Sequence, residues 1–583
     1  MQLAVLALDY DGTIATGDGV DPSVRAAIAA VRSSGVVVLL VTGRILAELG
    51  HVAGDLHFVD GVVAENGAVV HFPDSDHTEV LVPPVPESFL AELARRHIGC
   101  ARGRCLVDAH ADDSQQLLEV IRALELPLAL AFNRSRVMVL PQGVSKATGL
   151  QAALGILRLS ARNTMAIGDA ENDHELLRLA EVGAAVEWGI PALKAAADLV
   201  VPGSRPQDIA RFLSSLVADR MLPRPSRARR RLRLGHAEDG SEFSLAVRGR
   251  NVLVAGDARS GKSWVAGLLC EQLILHGYCV CVIDPEGDYR SLESLPGVSV
   301  LGGGDPPPTP RQLQQALRYP DRSVILDLSR LPHEEKVAYA RTVLPSIKEI
   351  RRHTGLPHRI VVDEAHYFLD EASVGELLDL QLNAYTLVTY RASRLPPDVL
   401  AATEVMIVTC ESAQAEVDVL WRRCAGCAGA DAAQWGARLG RLPVGQAVAL
   451  PITEEAGGAI RLFSLGPRLT PHVRHRQKYV DVPVSEHRAF AFAGRGAEQP
   501  RSVRTFRELV NELERAPLES LDGHLRRGDF SCWVGDVFGD RALAGELRTL
   551  EQRYRQCADA DVVPEVVSAI RGRYDLTADT SRP

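Results

Sequence analysis

Two aspartates near the start of the chain are spaced for phosphoryl transfer. Asp9 and Asp11 end the apolar run LAVLALDYD, and Gly12 follows them. Ligands of an open parallel sheet bind beyond the carboxyl ends of its strands, so both carboxylates can face one cavity. Asp9 can attack phosphorus as a carboxylate nucleophile. Asp11 can then protonate the leaving oxygen and later activate water.

Three further fragments supply groups that can hold a phosphate. Thr42 follows another apolar run, in LLVTGR, and its hydroxyl and neighbouring N–H groups, with Gly43 beside it, can contact phosphoryl oxygens. Lys146 opens a helical segment in GVSKATGL, where an ammonium group can neutralise charge on both nucleophile and phosphate. Asn172, in AIGDAEND, is a further candidate phosphate-binding residue.

The fragment AIGDAEND also contains candidate ligands for a hard cation. Asp169 ends an apolar run, and Asp173 follows shortly after it, where it could support the metal or Lys146. Carboxylate oxygens suit Mg²⁺, which would cancel part of the repulsion between a carboxylate nucleophile and a phosphate dianion. A DxDGT segment alone could be a surface turn. Four fragments that share one chemistry favour a catalytic site.

A second constellation, in the middle of the chain, is typical of a nucleotide-binding loop. LVAGDARSGKSW contains Gly256, Gly261, Lys262 and Ser263 at Walker A spacing, between a predicted strand and a predicted helix. The backbone N–H groups of such a loop cradle phosphates. Lys262 would reach the terminal phosphates of ATP, and Ser263 would bind magnesium.

The expected partner of this loop is RIVVDEAHYFL. Asp363 ends an apolar run and can hold magnesium through water, while Glu364 can polarise the attacking water. Arg391 and Arg394 lie further on and could act on a neighbouring subunit's nucleotide, although surface ion pairing is the favoured interpretation of both. We therefore expect ATP as a substrate and Mg²⁺ as the cofactor.

The segments around these residues alternate between apolar runs and helical stretches. This alternation, which occurs twice, predicts two parallel sheets covered by helices. Residues 81–140 interrupt the first region and could form an inserted cap. The last region contains a predicted strand, AFAFAG, and two amphipathic helices, TFRELVNELERA and ALAGELRTLEQRYRQ. We assign no chemistry to it and expect His524 and Trp533 to be core residues.

Composition narrows the classes of protein. A chain of 583 residues is too long to fold around a single hydrophobic core, so we expect several domains. The net charge of −9 disfavours a protein whose surface is built to bind nucleic acid. No apolar run reaches about 18 residues and no signal peptide is evident, so we expect a cytoplasmic protein without membrane contact. The lone CxxC at Cys424 and Cys427 is interpreted as reduced thiols. The basic run at Arg474–Lys478 is interpreted as a solvated face.

The first four fragments resemble, in order, the motifs of the haloacid dehalogenase superfamily. AENGA at Ala64–Ala68 is similar to the signature of its Cof-type branch, whose members are mostly sugar-phosphate and phosphoglycolate phosphatases. The resemblance covers about residues 1–216 and implies a magnesium-dependent phosphatase that acts on a small phosphorylated metabolite. It implies the following roles: Asp9 as nucleophile, Asp11 as acid/base, Thr42 and Lys146 as phosphate binders, and Asp9, Asp169 and the Asp11 main-chain carbonyl as metal ligands.

The middle region resembles the HerA/FtsK group of motor ATPases. VIDPEGDY at Val282–Tyr289 looks like the segment after that group's second strand, and DEAH looks like its Walker B motif. Many relatives have Gln at the position of Tyr390, so this sequence departs from the pattern there. Members commonly form hexameric rings around DNA. The resemblance therefore implies a homo-oligomer formed through the ATPase region, with nucleic acid as a possible partner.

Together these observations predict an α/β protein. We expect a Rossmann-like parallel-sheet phosphatase domain with an inserted α+β cap (residues 1–216, cap 81–140) and a basic linker (217–241). A P-loop α/β ATPase domain (242–469) and a small, mainly helical C-terminal module (470–583) follow.

Three functional hypotheses remain open at this point. The chain could be a small-molecule phosphatase fused to an ATPase, a nucleic-acid motor with an accessory phosphatase, or a regulator whose ATPase senses nucleotide. In the cap we find no residue that can be tied to a particular substrate. Arg44 is as consistent with a surface ion pair as with a substrate contact.

Overall fold

The computed structural model divides into three parts, the N-terminal part (1–223), the middle part (229–470) and the C-terminal part (480–574). It describes residues 1–16, 19–218, 220–223, 229–246, 251–423, 432–451, 460–470, 480, 483–484, 488–492, 501–538, 540–557 and 562–574. Cys424, Cys427 and the basic run after Thr470 lie outside the described residues. No helix among the described residues is both long and apolar enough to cross a membrane.

The N-terminal part alternates strands and helices as predicted. Its strands are β1 (Val5–Asp9), β2 (Ala15–Thr16), β3 (Gly19–Val20), β4 (Val37–Val41), β5 (Gly61–Ala64), β6 (Val69–Phe72), β7 (His77–Val80), β8 (Cys100–Arg102), β9 (Val107–His110), β10 (Leu128–Asn133), β11 (Arg136–Pro141), β12 (Thr164–Gly168), β13 (Val182–Val186) and β14 (Leu199–Val201). Its helices are α1 (Pro22–Ser33), α2 (Leu46–Ala53), α3 (Glu87–Arg95), α4 (Ser114–Ala123), α5 (Lys146–Leu157), α6 (His174–Leu179), α7 (Pro191–Ala196) and α8 (Ile209–Val217).

Eight of these strands form one sheet in the order β14-β13-β12-β1-β4-β5-β6-β7. The strands from β14 to β5 are parallel, and β6 and β7 add an antiparallel edge. The five residues of β1 are all buried, as expected for a central strand with helices on both faces. The carboxyl ends of β1, β4 and β12 therefore meet at one edge of the sheet.

The inserted cap has its own small sheet and core. Strands β8 to β11 form an antiparallel sheet in the order β10-β11-β9-β8. Helices α3 and α4 cover one face of it, where Phe89, Leu93, Leu117 and Val137 are buried together. Met138 and Leu140 of β11 point away from this core and pack with Ile45 of the main domain. The alternation along β11 thus gives the cap one inner face and one face towards the main domain.

The middle part contains the second sheet. Its strands are β15 (Arg231–Ala237), β16 (Glu242–Ala246), β17 (Val252–Ala255), β18 (Val280–Asp284), β19 (Val298–Gly302), β20 (Ser323–Asp327), β21 (Arg359–Val362), β22 (Tyr385–Thr389), β23 (Val405–Val408), β24 (Gln446–Pro451) and β25 (Arg461–Leu465). Its helices are α9 (Lys262–Leu275), α10 (Pro310–Ala316), α11 (His333–Thr354), α12 (Val374–Leu377), α13 (Pro397–Ala401), α14 (Gln414–Trp421) and α15 (Ala432–Leu439).

The eleven strands pair in the order β16-β15-β25-β24-β23-β17-β22-β21-β18-β20-β19. The run from β23 to β19 is parallel, and β24, β25, β15 and β16 extend it in antiparallel fashion. Strand β15 lies inside residues 217–241, so the prediction of a linker over this range is wrong for residues 231–237. Exposed Arg231 and Arg233 alternate with buried Leu232 and Leu234, so these two arginines of the basic run lie on one face of the strand.

The C-terminal part is mainly helical, as predicted. It contains β26 (Phe490–Phe492) and β27 (Arg501–Val503), followed by α16 (Phe506–Arg515), α17 (Leu518–Arg527), α18 (Asp529–Trp533), α19 (Arg541–Cys557) and α20 (Val562–Arg573). Its core contains His524 and Trp533, both buried. His524 Nδ1 lies 2.7 Å from Asp529 Oδ2. The guanidinium of Arg259, in the loop before α9, lies 5.6 Å from the ring centre of Phe538.

The N-terminal and middle parts share a polar contact. Tyr278, just before β18, donates a hydrogen bond of 2.8 Å to Glu181, just before β13. Arg162 and Arg230 lie 3.5 and 3.4 Å from the same Glu181 carboxylate. Gln2 Nε2 donates to the carbonyl of Arg352 at 2.6 Å. These N-terminal residues precede their strands, so the middle part packs at the edge opposite Asp9 and Asp169.

Candidate active sites

The centre of the first site is a lysine held between two aspartates. Lys146 Nζ donates to Asp9 Oδ1 at 2.6 Å and to Asp173 Oδ1 at 2.7 Å, and all three side chains are buried. Asp173 Oδ2 also accepts from the backbone N–H groups of Asp169 and Ala170, at 2.9 and 3.0 Å. Asp173 therefore fixes the lysine and the loop after β12 at the same time.

Local structure positions Lys146 with little freedom. It is the first residue of α5, which begins at a capping box between Ser145 and Thr148. Gly149 lies against Gly67, since a β-carbon at Gly149 would be 2.4 Å from the Gly67 Cα atom. This close approach brings the first turn of α5 towards the carboxyl end of β1.

The electrostatics of this centre favour a bound cation. Burial, followed by the charge of Asp173, raises the pKa of Asp9 well above its ordinary value, although Lys146 opposes the shift. Burial lowers the pKa of Lys146, but Asp173 and Asp9 outweigh burial and leave that pKa raised. A nucleophilic carboxylate must be ionised, and a divalent cation beside Asp9 would favour that form.

Three carboxylates in the first site form a suitable donor set for a metal ion. Asp9, Asp169 and Asp173 each offer a ligand atom, and these atoms lie within 4.8 Å of one another. Thr13 donates a hydrogen bond of 3.3 Å to Asp169 Oδ1. Oxygen ligands of this kind fit Mg²⁺. Both oxygens of Asp173 already accept hydrogen bonds, from Lys146 and from backbone N–H groups, whereas Lys146 contacts only Oδ1 of Asp9. Asp9 therefore has the more available oxygen of the two.

Asp11 is paired with Arg44 beside this centre. Arg44 Nε lies 2.9 and 2.8 Å from the two carboxylate oxygens of Asp11, and Arg44 Nη2 lies 2.5 Å from Oδ1. Both side chains are about one-third exposed, at 31% and 35%. Arg44 thus joins the acidic centre through an ion pair, and this pair fixes the orientation of the Asp11 carboxylate.

The other predicted phosphate-binding residues line the same edge. Thr42 is fully buried after β4, and its hydroxyl accepts from the N–H of Arg44 at 3.1 Å. A β-carbon at Gly43 would lie 2.9 Å from Met138 Sδ and 3.6 Å from Asn172 Nδ2. Gly43 and Asn172 therefore stand where the cap meets the main domain.

Two contacts between cap and main domain were absent from the sequence predictions. Glu65 accepts from the backbone N–H groups of Arg104 and Cys105, at 2.9 and 2.8 Å, and so anchors the cap. Arg134, in the β10–β11 turn, donates to Asp169. No motif marks Arg134, because a cap contact depends on the folded hairpin rather than on local spacing.

The second site lies at the carboxyl edge of the middle sheet. The loop after β17 contains Gly256, whose φ of +145° and close approach to the Thr409 hydroxyl require glycine. Gly261, with a φ of +107°, ends the loop, and Lys262 and Ser263 open α9. Lys262 Nζ donates to the carbonyl of Asp257 at 2.7 Å.

Asp363 and Glu364 follow β21, two strands away from the loop. Glu364 is fully buried with a φ of +46°, and its N–H donates to Asp363 Oδ1 at 3.0 Å. Strand β22 lies between β17 and β21 and ends at Thr389. The ring centre of the next residue, Tyr390, is 6.0 Å from Lys262 Nζ. The sheet order therefore brings the Walker A lysine and the Walker B acids to one edge.

Further polar groups of this second site were not predicted individually. Ser263 Oγ donates to Asp288 Oδ2 at 2.7 Å, so the segment after β18 contributes an acid to the proposed magnesium position. His366 Nδ1 lies 2.9 Å from the Thr389 hydroxyl and 3.8 Å from Glu364 Oε2. Burial lowers the pKa of His366 to about 4, which keeps the imidazole neutral beside Glu364.

Two family profiles match the chain. Residues 6–94 and 103–213 match the haloacid dehalogenase-like hydrolases. Residues 233–343 match the central domain of the helicase HerA. Both resemblances inferred from the sequence motifs are thereby confirmed, as is the α/β fold. The HerA profile begins inside β15, in agreement with the place of that strand in the second sheet.

Curated relatives align with the N-terminal part. A phosphoglycolate phosphatase of Natronomonas pharaonis is 32% identical over 215 residues, which are 35% of this chain and 92% of the relative. The corresponding enzyme of Methanothermobacter thermautotrophicus is 27% identical over 229 residues, covering 36% of this chain and 96% of the relative. A solved phosphatase structure from Bacteroides thetaiotaomicron has a TM-score of 0.31 and 23% identity, over 37% of this chain and 94% of that one.

Proposed function

The chain belongs, through its N-terminal part, to the haloacid dehalogenase-like hydrolases, and we propose that it hydrolyses a small phosphomonoester through an aspartyl-phosphate intermediate. The observation that supports this function best is the buried contact of Lys146 with Asp9, at 2.6 Å, beside the metal-binding geometry of Asp169. Phosphoglycolate is the substrate suggested by the relatives, and sugar phosphates are a second class implied by the resemblance to the Cof-type branch.

The proposed reaction has two steps, which share the same groups. Asp9 forms a bond to phosphorus while the bond from phosphorus to the alcohol oxygen breaks, and Asp11 gives its proton to that oxygen. Asp11 then takes a proton from water, whose oxygen attacks phosphorus and releases phosphate and the Asp9 carboxylate. Arg44 orients Asp11, while Lys146, Thr42, Gly43 and Asn172 are the proposed phosphate-binding residues.

Magnesium would be held by Asp9, Asp169 and the main-chain carbonyl of Asp11, with Asp173 in support. When bound it would neutralise negative charge between the nucleophile and the phosphate. The contacts between the cap and the main domain would exclude bulk water from this centre. Met138 and Leu140 of the cap pack over the edge of the main sheet that contains Gly43.

An Asp9→Asn variant tests the phosphatase function. Hydrolysis of p-nitrophenyl phosphate by the natural protein is expected to require Mg²⁺, and the variant is expected to fall to the level of the metal-depleted protein. The amide cannot form the acyl phosphate, although it fits the same space. Asp108→Asn, in the cap, is a matched control and should leave turnover unchanged. Full turnover by the Asp9 variant would refute the proposed nucleophile.

We further propose that the middle part hydrolyses ATP. Lys262 would bind the terminal phosphates, Ser263 and Asp363 would bind magnesium, directly and through water, and Glu364 would activate the attacking water. The contact between Ser263 and Asp288 supports an oxygen-rich cation position at this loop. Assembly as a ring and action on nucleic acid belong to the same proposal, and stimulation of ATP hydrolysis by DNA would distinguish a motor from an isolated ATPase.

A further inference from the structure

One cap residue reaches the catalytic centre from outside the main domain. Arg134 occupies the two-residue turn of the β10–β11 hairpin, between the paired residues Asn133 and Arg136. Its Nη2 atom donates to Asp169 Oδ2, although 56% of the Arg134 side chain is exposed and the Asp169 side chain is fully buried. The guanidinium therefore spans from the solvent side of the cap to the proposed metal ligand.

The backbone conformation at Arg134 is unfavourable for a residue with a β-carbon. Its φ is +53°, in the left-handed region where hairpin turns favour glycine, asparagine or aspartate. A residue with a β-carbon is disfavoured in that conformation, because the β-carbon comes close to the following carbonyl oxygen. Turn stability alone would thus favour another residue, and the contact made by the guanidinium gives a reason for arginine.

The guanidinium of Arg134 also lies close to the turn that follows β1. A β-carbon at Gly12 would be 2.5 Å from both Arg134 Nη2 and Asp169 Oδ2, so the guanidinium lies directly over the turn that contains Asp11. The other positive groups of this site have two carboxylate contacts each: Lys146 binds Asp9 and Asp173, and Arg44 binds both oxygens of Asp11. Arg134 is the most exposed of the three.

A cation and Arg134 would compete for the same carboxylate oxygen. Two positive groups on Asp169 Oδ2 repel each other, so a cation bound by Asp169 would favour transfer of the guanidinium to another anion. An anion in reach would belong to the alcohol portion of the substrate, because the phosphoryl group lies with Asp9 and Lys146. A planar guanidinium pairs in bidentate fashion with a planar carboxylate.

From this geometry, and resting on the proposed phosphatase function, we infer that Arg134 is a specificity-determining residue that binds a carboxylate on the alcohol portion of the phosphomonoester. The neighbouring cap residues that face the main domain are apolar, with Met138 and Leu140 packed against Ile45. These apolar side chains have no polar groups that could bind the hydroxyl groups of a sugar. They therefore favour a short carboxylated alcohol as the leaving group over a polyhydroxylated sugar.

An Arg134→Gln variant tests this inference with two substrates, 2-phosphoglycolate and p-nitrophenyl phosphate, at saturating Mg²⁺. We expect the ratio of kcat/KM for the first to that for the second to fall about ten- to a hundredfold, mainly through KM, as for loss of a charged hydrogen bond. Arg136→Gln, on the same hairpin but paired with Asp108, should leave the ratio unchanged. An unchanged ratio in the Arg134 variant would overturn the inference.

Calorimetric binding provides a readout that does not require turnover. The natural protein should bind 3-phosphonopropionate more tightly than propylphosphonate, which lacks the carboxylate, and Arg134→Gln should remove that difference. Equal affinity of the natural protein for both would also overturn the inference. Failure of the proposed phosphatase function would appear separately, as p-nitrophenyl phosphate hydrolysis that survives Asp9→Asn.

Discussion

At the scale of single residues, the first site depends on a balance of buried charge. Lys146 is 1% exposed and contacts two carboxylates that would otherwise face each other in a dry environment. The same ammonium group is proposed to receive the phosphate, so its structural and catalytic roles coincide. The sequence motifs predicted Lys146, Asp9 and Asp169 as neighbours. Asp9 and Asp169 stand at the carboxyl ends of parallel strands β1 and β12, whereas Lys146 opens α5 after a strand of the cap and was assigned to the site by its motif.

Replacement of Lys146 by methionine should therefore harm both stability and catalysis. We expect the free energy of unfolding to fall by about 3–5 kcal/mol, as when one partner of a buried ion pair is removed. Urea unfolding followed by far-UV circular dichroism measures this change. Lys194→Met, at an exposed helix position, is the matched control and should change stability little.

A second variant separates charge from packing at this position. Adding Asp173→Asn to Lys146→Met removes one of the two facing carboxylates and should recover part of the lost stability, while phosphatase activity stays low. A double variant no more stable than Lys146→Met would show that the loss came from packing rather than from facing charges.

At the scale of elements, the site depends on how closely α5 approaches the loop after β5. Gly149 and Gly67 bring the two backbones together, and the φ of +105° at Gly67 excludes most other residues there. Sequence patterning could predict α5 and its first residue, because the capping signal and the periodicity are local. It could not predict this contact, or the reach of Arg134, because both depend on tertiary packing.

The misplaced linker has a different cause. Arg229, Arg230 and Arg231 read as a solvated basic run, yet Arg230 approaches Glu181 and Arg231 opens strand β15. The prediction of a linker relied on the high content of positive charge and neglected the alternation of arginine and leucine along residues 231–234. The alternation correctly predicts a strand, because polar and apolar side chains that alternate along a strand lie on its exposed and buried faces.

An alanine at Gly149 tests the role of the close approach. Its β-carbon would meet the Gly67 backbone, and we expect a loss of about 1–3 kcal/mol from overpacking, together with lower phosphatase activity as Lys146 shifts. Gly155→Ala on the same helix meets nothing within 4 Å and should be neutral or stabilising by up to about 1 kcal/mol. Thermal unfolding of both variants provides the comparison, and equal effects would contradict the argument.

At the scale of the whole molecule, the two sheets meet at the edges opposite their sites. Glu181 and Gln2 precede strands of the first sheet, and Tyr278 precedes β18 of the second. Asp9 and Lys262 follow the strands of their own sheets. At about 3.3 Å per strand residue, two strand lengths separate the sites by on the order of 30 Å. This arrangement favours two chemically independent sites over a shared one.

A Lys262→Ala variant tests that independence. ATP hydrolysis should be lost, because the terminal phosphates lose their lysine contact, while turnover of p-nitrophenyl phosphate should equal that of the natural protein. Lys348→Ala, on the exposed side of α11, controls for loss of a positive charge in the same domain. Loss of both activities in a folded Lys262 variant would show that the two sites are not independent.

Trapping the covalent intermediate tests the central claim most directly. The protein would be quenched in acid during turnover of a phosphomonoester with Mg²⁺, treated with borohydride to reduce any acyl phosphate to an alcohol, and mapped by peptide mass spectrometry. The account predicts that the modified residue is Asp9 and that modification requires both substrate and metal. Modification at another carboxylate, or turnover without any trapped intermediate, would contradict it.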